Sequence, residues 1–98
     1  MATKKNKRRL ATGDVVRSEQ GRDRKRYFVI TALGRANGYD TAYIADGKLR
    51  KVSDRKQKNV MHISYVGHIP DEYEAASPEN MDDELISKIC SKFDPASR

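Results

Sequence analysis

The run RYFVITAL at residues 26–33 limits the fold more than any other part of this chain. Aromatic and β-branched side chains lose rotamer freedom in a helix and pack well on a pleated, half-buried surface, so this run is expected to be a strand. Shorter runs of similar character surround it: GDVVRS before Gly21, DTAYIAD after Asn37-Gly38, KLRKV after Asp46-Gly47, and NVMHIS at 59–64 beyond a basic linker. Asn-Gly and Asp-Gly tolerate the positive φ of tight hairpin turns, which makes Gly38 and Gly47 turn residues. Five short strands with tight turns in about fifty residues predict a small barrel.

The period then changes. In ENMDDELISKICSKF, residues Met81, Leu85, Ile86, Ile89, Cys90 and Phe93 recur along one helical face. Asp82, Asp83 and Glu84 open the segment while Lys88 and Lys92 lie toward its end, in keeping with the helix dipole. Ser77 ahead of Pro78, or Asn80, would cap it. The expected organisation is a disordered basic arm at 1–11, a barrel at 12–65, a linker at 66–79 containing Gly67, Pro70 and Pro78, a helix at 80–93 and a tail at 94–98. The helix is expected to cover an open side or end of the barrel. Docking onto a protein partner is the lesser reading for such a stripe.

The 98 residues suffice for one small domain, and with 37% apolar and 35% charged residues its core must be small. Charge is segregated. Residues 1–64 carry 17 Lys/Arg against 6 Asp/Glu, whereas residues 65–98 carry 3 against 8. A basic body of this kind implies a polyanionic partner, nucleic acid before an anionic membrane surface. The longest apolar run, Tyr27 to Leu33, is too short to span a bilayer, and the basic N-terminus does not lead into an apolar stretch. Cys90 is alone, so there is no intrachain disulfide. A soluble, cytoplasmic protein is expected.

The cations fall into three groups. Lys4, Lys5, Lys7, Arg8 and Arg9 form the arm, suited to lying along a phosphate backbone. Arg22, Arg24, Lys25 and Arg26 crowd into one loop with Asp23 as its only acid, and Gly21 fits the sharp turn that opens it. Lys48, Arg50, Lys51, Arg55, Lys56 and Lys58 follow, with Asp54 the only acid among them. On a strand, Lys48 and Arg50 would share one face. Guarding of a sheet edge by charge accounts for some of these cations, but six in eleven residues exceed that need. Tyr27, Tyr43 and Tyr65 are candidate platforms for stacking unpaired bases; of Tyr43 and Ile44, one is expected in the core and the other outside. His62 is a candidate RNA contact.

Two stretches, GRDRKRYFVI at 21–30 and ADGKLRKV at 45–52, the latter followed by KQKN and HIS, resemble the small bacterial KOW-domain RNA-binding proteins, which are related to a eukaryotic and archaeal large-subunit ribosomal protein. The resemblance spans residues 13–64 and implies an SH3-like barrel of about five strands. It also implies binding of RNA, generally ribosomal, through the Gly21–Arg26 loop and neighbouring strands, and association with the ribosome. The chain departs from the family pattern at Lys25, where a second glycine is usual.

Other chemistry finds little footing. His62, His68 and Cys90 lack metal-ligand spacing. GRANG at 34–38 lacks the Lys-Ser/Thr of a phosphate loop. No nucleophile–base set stands out, so neither enzyme activity, a cofactor, a metal nor a small-molecule substrate is expected. The reading is a non-catalytic RNA-binding protein. The alternative is an adaptor that docks on translation or transcription machinery through the barrel or the C-terminal helix, with charge steering the encounter.

Overall fold

The computed structural model describes residues 9–73 and 78–97. Five antiparallel strands, β1 (Asp14–Ser18), β2 (Tyr27–Ala36), β3 (Tyr39–Ala45), β4 (Lys56–Asn59) and β5 (Ile63–His68), form one sheet in the order β4-β3-β2-β1-β5. A helix, α1 (Asp83–Phe93), follows. β4 and β5 occupy opposite edges, yet only the 3-10 turn Val60–His62 joins them. Across a flat five-stranded sheet the edges would lie about 19 Å apart. The four Cα steps from Asn59 to Ile63 reach at most about 14 Å even when extended. The sheet must therefore curl, which gives the small SH3-like barrel expected from the sequence. Register irregularities between Val15 and Val16 and between Ile30 and Ala32 help it to bend.

Alternation along β1 and β2 feeds two cores. Val16, Phe28 and Ile30 point into the barrel with Ala42, Ile44 and Ile63. Val15 and Val29 point outward, where they meet Ile69, Met81, Ile86, Ile89 and Cys90. These two strands are thus buried on both faces, and α1 covers the outer one. Leu85 and Phe93 pack onto the same cluster, so the whole predicted stripe is spent on the protein's own core. Burial of a side chain such as Ile86 or Ile89 contributes roughly 1.5–3 kcal/mol.

Several boundaries differ from expectation. Asn37 (φ 52°) and Gly38 (φ 84°) make the expected tight β2–β3 turn. KLRKV, however, is not a strand. Asp46 Oδ1 accepts the N–H groups of Lys48 (3.0 Å) and Arg50 (2.8 Å), and the Asp46 N–H donates to Arg50 O (2.9 Å). This local closure competes with ladder pairing and holds residues 46–50 as a loop, ahead of a 3-10 turn at Val52–Asp54. The fourth strand is instead KQKN, which reads as linker in the sequence. β5 runs to His68, past the expected barrel end at residue 65, and Ile69 and Tyr73 join the outer core, so 66–73 is not a free linker. At the other end, Leu10 packs against the inner core and the Ala11 N–H donates to Asp14 Oδ2 (2.8 Å), so packed structure starts before residue 12. Residues 1–8 of the arm lie outside the described residues. The helix begins at Asp83 rather than residue 80, because Asp82, not Ser77 or Asn80, supplies the cap and accepts the Leu85 N–H at 2.8 Å.

The start of α1 is locked to the loop after β3. Asp83 Oδ1 accepts the Val52 N–H (2.8 Å), and the backbone of Gly47 (φ 81°) sits directly against the Asp83 carbonyl. Gly47→Ala would combine a left-handed penalty of about 1–2 kcal/mol with a backbone collision. A stability loss of at least about 2 kcal/mol is expected, a drop in Tm of roughly 10 °C by calorimetry. An unchanged Tm would show that the helix start is not seated on this loop.

Candidate nucleic-acid interface

The pairings Arg17↔Tyr27 and Val29↔Ala45 put the β1–β2 loop (19–26) and the β3–β4 loop (46–55) at the same end of the sheet. Three of the first loop's backbone N–H groups, and that of Ser18 at the end of β1, are satisfied inside the hairpin: Ser18 to Arg26 O (2.9 Å), Lys25 to Ser18 O (2.7 Å), Arg24 to Gly21 O (3.2 Å) and Arg26 to Asp23 O (3.0 Å). Gly21 (φ 89°) supplies the left-handed turn as expected. Lys25, at the position where the family resemblance leads one to expect glycine, also takes a left-handed conformation (φ 73°). The loop keeps a shape suited to glycine while carrying a lysine.

Beneath the loop lies a knot of charge. Lys58, only 7% exposed, donates to Ser18 Oγ (2.9 Å), Gln20 O (2.5 Å) and Asp23 Oδ1 (2.6 Å), which uses all three ammonium protons. Asp23 Oδ1 also accepts from Ser18 Oγ (2.6 Å), and its Oδ2 accepts from Lys56 Nζ (3.1 Å). Burial alone would push the Asp23 carboxyl up, but the hydrogen bonds from Lys58, Ser18 and Lys56 outweigh it and hold the group well below the usual carboxylate range. Lys58 is therefore not a surface cation and leaves the expected contact set, because a buried ammonium that ties β4 to the β1–β2 loop cannot reach a ligand. Lys56, half-buried, pairs with Asp23.

The knot also turns the loop's one acid inward. Arg22, Arg24, Lys25 and Arg26 are exposed, as are Lys48 and Lys51 on the neighbouring loop, and among the described residues none of these six side chains holds a hydrogen bond or ion pair. Arg50 faces Asp54 at 3.6 Å, an exposed pair of little energetic consequence. Lys48 and Arg50 belong to a turn rather than a strand, so they do not share a strand face. Arg9 is exposed; Lys4, Lys5, Lys7 and Arg8 lie outside the described residues.

Of the tyrosines, Tyr27 packs partly into the outer core. Tyr43 is half-buried beside the buried Ile44, with the Arg55 guanidinium over its ring at 4.6 Å, and a Cβ at Gly34 would meet that ring at 3.3 Å. Tyr65 is half-buried on β5, and the backbone carbonyl of His62 accepts the Glu19 N–H (2.8 Å).

One constellation escapes sequence reasoning. A cavity of about 190 Å³ opens between Arg26–Tyr27, Asp46, Lys48 and the last turns of α1, where Asp94 stands at its rim and Ser87, Cys90 and Ser91 form its wall. Burial first, and then the carboxylates of Asp46 and Asp94, push the Cys90 thiol up to about 12. In the sequence Asp46 reads as half of a turn pair and Asp94 as tail; no local pattern joins them. Among the described residues no group of three His, Cys, Asp or Glu side chains is placed to hold a metal ion, and no helix is long and apolar enough to cross a membrane. No protein-family model matches this sequence, and no curated protein is significantly similar to it.

Two outcomes are expected of the loop. Asp23→Asn leaves the Lys58 ammonium buried without its counter-charge and should cost about 3–5 kcal/mol in urea unfolding, part of it recovered in the Asp23→Asn/Lys58→Met double variant. Because the Asp23 pKa is depressed by folding, its stabilisation is complete above the unfolded value near 4 and fades as pH falls below that toward the folded value. The Asp23→Asn protein should lose this part of the acid sensitivity, and an identical acid limb in both proteins would rule the knot out as its source. Lys25→Gly relieves about 1–2 kcal/mol of left-handed strain against roughly 0.5–1 kcal/mol of added unfolded-state entropy, so a Tm equal to or a few degrees above the parent is expected. A clear fall would mean that the lysine side chain holds the loop.

Proposed function

We propose that this protein is a non-catalytic RNA-binding protein of the KOW type, acting in the cytoplasm and directed to structured RNA, with ribosomal RNA and a ribosome-associated role as the form that the family resemblance implies. The observation that carries this is the shared placement of Arg22, Arg24, Lys25, Arg26, Lys48 and Lys51 on two adjoining loops, with no ion pair among the described residues to absorb them. Crowded like charges repel, and a chain of phosphates relieves that repulsion while gaining from counterion release. Shape and backbone contacts favour RNA that presents phosphates on two sides of such a protrusion. The adaptor reading through α1 loses its surface, since the apolar stripe is buried against β1 and β2.

Six phosphate contacts imply that affinity for a ribosomal RNA fragment falls roughly a thousandfold between 50 and 200 mM salt. Arg22→Glu/Arg24→Glu should weaken binding by at least roughly tenfold in a filter or fluorescence assay, with Tm unchanged because both side chains are exposed. A flat salt response, or full binding by the double variant, would remove the phosphate model. Equal affinity for duplex DNA would replace RNA recognition by general polyanion binding, and partner co-purification that survives nuclease would favour the adaptor.

A further inference from the structure

We infer that the cavity between the two basic loops and the end of α1 is a slot for one guanine base of the bound RNA, read by the Asp94 carboxylate. This rests on the RNA-binding reading and adds base preference to what the loops alone would supply as charge.

The slot holds two cations, Arg26 and Lys48, and two carboxylates, Asp46 and Asp94, yet among the described residues none of these side chains pairs with another across it. Opposite charges kept apart around open space suit a ligand with both donors and acceptors. At about 190 Å³ the space falls below the roughly 300–1,000 Å³ of clefts for drug-sized ligands, in keeping with a single planar ring system. Tyr27 lines one side while packing partly into the outer core, and aromatic side chains can stack bases of any identity.

The carboxylates narrow the choice. Asp46 is committed to the loop, since its Oδ1 accepts two backbone N–H groups. Among the described residues Asp94 Oδ1 accepts only the Ala96 N–H (2.9 Å), within the helix-end turn, which leaves Oδ2 and a further lone pair for a ligand. A carboxylate accepts and never donates. Guanine presents adjacent N1–H and N2–H donors on its Watson–Crick edge and can satisfy both oxygens. Adenine and cytosine place a ring acceptor beside their amino group, and uracil flanks its one donor with carbonyls. Arg26 and Lys48 are then free to hold guanine O6 or the flanking phosphates, the pairing that guanidinium and ammonium groups favour. The neutral Cys90 thiol in the wall adds no competing charge.

The test uses the full chain, two uridine-rich RNA decamers that differ by one central guanosine or adenosine, and free 5′-GMP and 5′-AMP followed by amide chemical shifts. The guanosine decamer is expected to bind roughly tenfold more tightly than the adenosine one. Free 5′-GMP should shift the amides of Tyr27 and the 87–94 segment, and 5′-AMP should not. Asp94→Asn keeps an acceptor for the Ala96 N–H, so the helix end survives; it should erase the preference, bringing the two decamers to equal affinity. Ser91→Met, which fills the half-buried wall, should do the same. Decamers that bind equally well would overturn the slot and leave RNA binding by the loops intact. Entry of 5′-GMP without binding of either decamer would uphold the slot and remove the RNA reading.

Discussion

The arrangement at the basic end of this molecule depends on the buried contact among Lys58, Asp23 and Ser18. β4 is an edge strand with no further strand on its free side among the described residues, and the β1–β2 loop has no apolar residue with which to anchor itself. One ammonium with three acceptors answers both needs. It draws β4 toward the loop that joins β1 and β2, helps to close the curled sheet, and sets the height at which the loop's cations stand. Such a pair is sensitive to the loss of either member, since the survivor is left as an uncompensated charge in a low-dielectric site.

The same contact sorts charge by depth. Five ionisable residues in sequence, Arg22 to Arg26, contain four cations and one acid, and folding takes the acid inside. What remains outside is of one sign. The neighbouring loop adds Lys48 and Lys51, and one of its two acids, Asp46, folds under its backbone to tie the loop closed, while the other, Asp54, stays exposed and faces Arg50. In both loops, therefore, a carboxylate performs structural work, and Arg22, Arg24, Lys25, Arg26, Lys48 and Lys51 are left facing solvent. This division makes the surface suited to a polyanion without making the scaffold unstable.

The C-terminal helix has a different task. Without it Val15 and Val29 would present apolar side chains to water on the outer wall of the barrel, and the small inner core would stand alone. Its acidic first turn is used locally, with Asp82 capping the helix and Asp83 holding the loop after β3. Two of the acids of residues 65–98 thus serve the start and docking of the helix, and the junction of helix and loops creates the polar cavity at the basic end.

Much of this was legible in the order of residues. Strand identity for β1, β2 and β3 follows from side-chain shape and alternation, the Asn37-Gly38 turn from the φ values those residues accept, and the helix from a stripe whose six members all reach one core. These are local properties, decided within a few residues. The fate of individual charges was not local. Lys58 looks like its neighbours in sequence and is buried because a strand forty residues earlier brings Ser18 beside it; KLRKV is a loop because Asp46 holds its backbone, and KQKN pairs with β3 instead. Asp46 and Asp94 face one cavity only because the helix returns across the sheet. Composition and periodicity determine which segments form which elements, since those depend on near neighbours. Which cation meets solvent, and which acid meets a cation, depends on distances that exist only after the chain has closed on itself.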